Sequence, residues 1–146
     1  MSTVKVKTAD LIGPALDWAT FCAIYTGMEP TIHVIEEATI ERKPFIKPIT
    51  FPRTVHLSYS GAYGVTVPWH PSTDWECGGP LIDKHRFEFE WVGSDWHGEP
   101  LEFFTACGCD MPADATSAGP THLIAACRAI VRAKLGDTVK IPAELA

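Results

Sequence analysis

Gly119-Pro120-Thr121-His122-Leu123-Ile124-Ala125-Ala126-Cys127-Arg128-Ala129-Ile130-Val131-Arg132-Ala133-Lys134-Leu135-Gly136 carries a full set of helix signals. Leu123, Ile124, Cys127, Ile130, Val131 and Leu135 recur every three or four positions and draw one apolar stripe. Gly119-Pro120-Thr121 starts the segment, with proline suited to a first-turn position whose N–H would have no helical partner anyway. Arg132 and Lys134 lie where the negative end of the helix dipole favours cations, and Gly136 stops the helix. The spacing predicts a helix over residues 120–135. A helix with such a stripe needs a second layer to cover it.

Towards the N-terminus, Val4 and Val6 alternate with Lys5 and Lys7, the period of a half-exposed strand, after which Thr8 or Asp10 can cap a helix. Leu11, Ala15, Trp18, Ala19 and Cys22 follow at helical spacing, Pro14 falls in the first turn, and Gly27 provides a stop. This predicts a helix over residues 10–25 that packs through Trp18. Asp17 beside it reads as a solvated or capping carboxylate, the usual state of a single acid on a helix. Residues 31–40, 54–59 and 62–67 are β-branched and aromatic and read as strands. Pro44, Pro48 and Pro52 keep the segment between the first two out of a central ladder, and Ser60-Gly61 suits a tight turn. Residues 86–91 alternate cleanly and 101–105 follow Gly93-Ser94, which predicts a second hairpin. Val139 and Ile141 suggest a last short strand. The expected architecture is a single α+β domain over residues 1–146, a mainly antiparallel β-sheet flanked by two α-helices at 10–25 and 120–135.

The 146 residues suffice for one domain with a real core, and 46% hydrophobic with 21% charged residues fits a folded chain. A formal net charge of −6 argues against an anionic membrane or nonspecific nucleic acid as partner, since both select basic surfaces. The five cysteines follow neither a disulfide framework nor a zinc-ligand spacing, so a reducing cytosol is expected, with no metal and no cofactor. Residues 11–27 are too short and too interrupted for a membrane span. An assembly of identical copies is compatible with this composition.

The stretch His70-Pro71-Ser72-Thr73-Asp74-Trp75-Glu76-Cys77-Gly78-Gly79-Pro80-Leu81-Ile82 reads as a loop. Ser72, Thr73 and Asp74 hydrogen-bond readily to nearby backbone, and Gly78-Gly79-Pro80 is turn chemistry that lets another group approach the chain. Trp75 needs its apolar body covered, which suggests that the loop folds back on the protein or onto a ligand. Neither a Walker pattern nor a dinucleotide fingerprint surrounds the glycines.

Several blocks taken together resemble the NinX family of tailed-phage proteins. They are Val4-Lys5-Val6-Lys7-Thr8, Gly13-Pro14-Ala15-Leu16-Asp17-Trp18-Ala19, Pro71-Ser72-Thr73-Asp74-Trp75 with Gly78-Gly79-Pro80-Leu81-Ile82, Gly119-Pro120-Thr121 with Leu123-Ile124-Ala125-Ala126, and Lys134-Leu135-Gly136-Asp137 with Ile141-Pro142. Residues 31–68 and 93–117 carry no such block. The resemblance implies an accessory phage protein made in the cytoplasm of a bacterial host, in a family without an assigned activity.

The residues themselves suggest a binding site. A helix start at Gly119, Pro120 and Thr121 offers N–H donors to an anion, set against simple capping, and Arg128 lies two turns along. Thr73, Asp74 and Trp75 can hydrogen-bond a ribose or base edge and stack on a ring, set against a structural turn. The expected pocket joins Ser72, Thr73, Asp74, Trp75, Gly78 and Gly79 to Gly119, Pro120, Thr121 and Arg128, with Asp17 and Trp18 beside them. Its expected occupant is a small anionic, nucleotide-like ligand, bound without catalysis and, in a phage, sequestered as a host signalling nucleotide. Two rivals remain: a module that docks on a protein of host or phage DNA metabolism, and a small hydrolase acting through Asp74 or Cys77.

Overall fold

A computed structural model describes residues 2–44 and 46–146. In chain order the elements are β1 (Thr3–Lys7), α1 (Gly13–Ile24), β2 (Thr31–Ile35), β3 (Ala38–Ile40), β4 (Ile49–Phe51), β5 (Thr54–Ser60), β6 (Thr66–Pro68), α2 (Trp75–His85), β7 (Phe87–Ser94), β8 (Pro100–Gly108), β9 (Ser117–Gly119), α3 (His122–Leu135) and β10 (Thr138–Pro142). Every strand pairing is antiparallel, and the class is α+β.

The arrangement differs from one sheet with two helices in both respects. Among the described residues there are three α-helices, and the strands form four small sheets: β1-β10, β2-β5-β6, β3-β4 and β7-β8-β9. In α1 the run from Ala15 to Phe21 is buried without a break, so this helix is the centre of the core rather than a one-faced layer. Leu16, Trp18 and Phe21 pack with Ile124, Cys127 and Val131 of α3, Leu57 and Trp69 from the second sheet, and Val139 and Ile141 of β10. Pairing of Val4 with Ile141 and Val6 with Val139 closes the two ends of the chain over that core.

Several local readings need correction. Residues 8–10 form a short 3-10 turn and α1 starts at Gly13; the Thr8 hydroxyl donates to the Gly136 carbonyl at 2.7 Å and caps no helix. Pro120 stands just before the N-cap of α3, which is Thr121. Residues 31–40 break into β2 and β3, and residues 62–64 are a 3-10 turn before β6. Asp17 is 2% exposed, so it is not a solvated acid. The proline-flanked segment contributes β4, which pairs with β3, and every residue of these two strands is exposed.

The largest correction is α2. Gly78-Gly79-Pro80 is not a turn but the middle of an 11-residue helix. Asp74 is its N-cap, its carboxylate accepting the Glu76 N–H at 3.0 Å, and Lys84 and His85 sit in its last turn. A Cβ on Gly78 would collide with the Pro71 carbonyl and come within 2.6 Å of the Leu123 side chain, so glycine lets α2 lie directly against its own approach loop and α3. No described helix is long and apolar enough to cross a membrane.

Candidate functional site

The approach to α2 is fixed from below by α1. The Asp17 carboxylate accepts the Ser72 N–H at 2.8 Å, and the Asp17 carbonyl accepts the Trp69 indole N–H at 2.8 Å, so one residue holds both sides of the bend at His70-Pro71. Burial pushes the Asp17 carboxyl up to about 6, against the opposing pull of Ser72 and of His70. Ser72 Oγ, next to the bend in the chain, and Trp18 Nε1, next to Asp17 in the chain, are buried without a hydrogen-bond partner among the described residues. Asp17 and Trp18 are buried beneath the bend and line neither of the two cavities that flank α2.

Above this anchor, Ser72, Thr73 and Trp75 share a depression of about 300 Å³ with Thr121, His122, Leu123 and Ile124. The Trp75 ring is 58% exposed, with its centroid 6.2 Å from that of His122. Thr121 Oγ1 accepts the Ile124 N–H at 3.1 Å, which is capping geometry. Loop and helix start do meet here. Asp74 does not join them: it faces the opposite side of α2, in a cavity with Tyr25, Tyr59 and Trp69. Gly78 and Gly79 are packing positions within α2 and line neither cavity.

Gly119, Pro120 and Arg128 belong to a different and larger cleft of about 770 Å³, between the end of β1, the β8-β9 edge and α3. A Cβ on Gly119 would come within 2.7 Å of the Ala125 nitrogen, so glycine lets β9 close on the helix. Lys7, Arg128 and Arg132 bring three cations to this cleft, and Glu102 and Asp137 bring two carboxylates. Arg132 Nε pairs with Asp137 at 2.7 Å, and its Nη1 donates to the Thr116 carbonyl at 2.8 Å. Arg128 Nε and Nη1 donate to the carbonyls of Leu11 and Ala118 at 3.0 and 2.9 Å. Burial lowers the Arg128 pKa, opposed by Asp10. Among the described residues neither Arg128 nor Lys7 has a carboxylate within ion-pair distance. A partly desolvated guanidinium with no carboxylate in direct contact is a place where an anion gains more than it would in water. The walls add Leu101, Phe103 and Pro120 as apolar surface.

The rim of this cleft is strained. Glu102 has φ of +49°, in the left-handed region, and lies where Gly93 on β7 faces two residues on β8. Such bulges re-aim side chains and recur next to functional sites.

Sequence reasoning did not assign Lys7, Arg132 or Glu102 to a site. Lys7 reads as the polar phase of a strand and Arg132 as a dipole partner, and nothing local marks Glu102 as a bulge residue. Cys77 is poorly suited to nucleophilic work: burial, then the neighbouring carboxylates of Asp74 and Glu76, push its thiol up, with the His70 backbone opposing. No group of three metal-ligating side chains gathers among the described residues.

The family model described as bacteriophage P22 NinX matches residues 7–134 of the 146. No curated protein matches the chain. With most of its length covered, the chain belongs to the NinX family of phage proteins.

Proposed function

We propose that this phage protein binds and holds a small anionic, nucleotide-like molecule, without turning it over, in the cleft beside the start of α3. The observation that carries the reading is the gathering of Lys7, Arg128 and Arg132 on a cleft of about 770 Å³ in a chain whose net charge is −6. A nucleotide needs cations for its phosphate and an apolar wall for its base, and Leu101, Phe103 and Pro120 supply the wall. Turnover is left out because no histidine or cysteine lines the cleft to activate its hydroxyls, and three of these, on Thr8, Thr116 and Ser117, already donate to backbone carbonyls. In a phage protein, binding without turnover suits removal of a host signalling nucleotide, and thereby evasion of host defence. This purpose follows from the lifestyle of the family.

The test is calorimetric titration with mono-, di- and cyclic nucleotides, alongside native mass spectrometry of protein taken from infected cells. At least one nucleotide should bind, more weakly at high salt. Lys7→Gln, an exposed change, should weaken binding about five- to tenfold, the order expected for one phosphate contact. Failure of every nucleotide to bind, with no retained small molecule, would favour the second reading, a module that docks on a host or phage DNA-metabolism protein. One observation supports that rival: Trp75, His122, Phe104 and Trp91 form a continuous aromatic run, with Trp75 and Trp91 more than half exposed.

A further inference from the structure

A cavity of about 420 Å³ opens on the other side of α2, between Tyr25 at the end of α1, Tyr59 of β5, Trp69 just after β6, and Asp74 and Glu76 of the helix start. Nothing in the sequence brings these rings together, because they come from positions far apart. Their centroids lie 5.7 to 6.4 Å from one another, two of the three pairs edge-on and one tilted. Core packing accounts for those contacts, and for Trp69, whose indole N–H is committed to Asp17. It does not account for the open volume or for Tyr25 remaining 40% exposed.

The chemistry of the lining is one-sided. It holds two carboxylates and no lysine, arginine or histidine. Pro68 and Pro80 add wall without any backbone N–H, and Pro80 also withholds from the Glu76 carbonyl its usual helical donor. The Asp74 carboxylate caps α2 and takes the Cys77 thiol at 3.8 Å, whereas Glu76 forms no ion pair among the described residues. A cavity rich in π-faces, with two carboxylates and no cationic side chain, suits a cation with an apolar body.

We infer that this pocket binds a small organic ammonium cation, its alkyl groups against Tyr25, Tyr59 and Trp69 and its charge facing Glu76. The site is separate from the cationic cleft and does not depend on it.

Choline and its neutral isostere 3,3-dimethyl-1-butanol, which share shape and differ in charge, serve as probes in protein-observed NMR titrations of the full chain. Choline should bind at least tenfold more tightly than the alcohol, with shifts at the indole N–H of Trp69 and the backbone of residues 74–81. Glu76→Gln, at an exposed position, should weaken choline severalfold and leave the alcohol unchanged. Tyr25→Leu, which keeps an apolar wall, should erase most of the discrimination between them. Arg128→Gln should leave choline binding as it was. Equal affinity for the two probes, or no choline shift at millimolar concentration in folded wild-type protein, overturns the inference. So does Glu76→Gln binding choline as well as wild type, since the charge preference would then come from elsewhere.

Discussion

The two cavities are built in opposite ways. In the cleft beside α3 the charged groups are braced by the chain itself: Arg128 spans the Leu11 and Ala118 carbonyls, and Arg132 joins Thr116 to Asp137. In the pocket beside α2 the walls are rings that hold one another, and the Glu76 carboxylate stands free of the fold. The two arginines therefore cannot be lost without loosening three segments, while Glu76 can. Variants at the arginines will register in stability as well as binding and a variant at Glu76 in binding alone, which separates structural from recognition roles here.

Both cavities share one support, the packing of α1 on α3, and removing it should have the largest effect. Trp18 is 8% exposed in the cluster that joins these helices to the second sheet. Trp18→Ala should cost about 3 to 5 kcal/mol in chemical denaturation, as deletion of a large core aromatic does. A midpoint that hardly moves would mean that the two cavities stand on independent supports and that the comparison is wrong at its base.

The next effect comes from Asp17, which fastens the bend leading into α2. Its carboxyl is raised from 3.8 to about 6, so between those values the folded chain holds a proton that the unfolded chain has lost. The sign follows: stability from this group is fully present below about pH 4, falls as pH rises to about 6, and is lost and level beyond that. The full excursion is on the order of 3 kcal/mol, at about 1.4 kcal/mol per pH unit. Asp17→Asn keeps an acceptor for the Ser72 N–H and removes the charge, so its unfolding free energy should be flatter than that of the wild type across this window. Asp110 shifts the other way, lowered chiefly by its hydrogen bond from His85, and it contributes to both proteins alike. The difference between the two pH curves therefore isolates Asp17, and identical slopes would remove it as the anchor.

Arg128→Gln and Glu76→Gln sharpen the contrast itself. Loss of the guanidinium leaves the Leu11 and Ala118 carbonyls without their charged donor, and the position is partly exposed, so about 1 to 2 kcal/mol of stability should go. Glu76→Gln should change stability by less than about 0.5 kcal/mol, as exposed substitutions usually do. Paired urea titrations decide the matter, and the comparison fails if the order is reversed.

What the sequence discloses follows the range of the interactions concerned. The helix ending at Leu135, the burial of Trp18 and the alternation of residues 87–90 are set by periods of a few residues, and each reappears in the fold, although α3 starts at His122, Arg86 ends α2 instead of opening the strand, and Trp91 breaks the alternation by facing solvent. The helix α2 was hidden because Gly78-Gly79-Pro80 has strong local turn chemistry, and tertiary packing against Pro71 and Leu123 overrides it. Asp74 followed by Glu76, with Lys84 and His85 ahead of Arg86, were the start and stop signals available. At the site, local chemistry found Thr73, Trp75 and Thr121, which meet in space, and Gly119, Pro120 and Arg128, which meet elsewhere. It could not find the rings of Tyr25, Tyr59 and Trp69, or the burial of Asp17, because those depend on how four separate segments close on one another.

The smallest effect, and the finest test of the cleft, lies at Glu102. A left-handed backbone costs an ordinary side chain about 1 to 2 kcal/mol, which glycine avoids, while glycine loses about 0.5 to 1 kcal/mol more in conformational entropy on folding. Glu102→Gly should therefore stabilise the protein slightly, by about 0.5 kcal/mol, a gain visible as a small rise in the urea midpoint. A strained residue that evolution could relax at one codon invites the explanation that its side chain is needed at the cleft it lines. On the nucleotide reading, the Glu102 carboxylate accepts from a ribose hydroxyl or a base N–H, so the more stable variant should bind the nucleotide more weakly. Glu102→Asn, which also tolerates the left-handed region and keeps an acceptor, should retain more of the affinity than glycine does. If Glu102→Gly lowers stability instead, the side chain is supporting the β7-β8 bulge by its own packing, and its strain says nothing about a ligand.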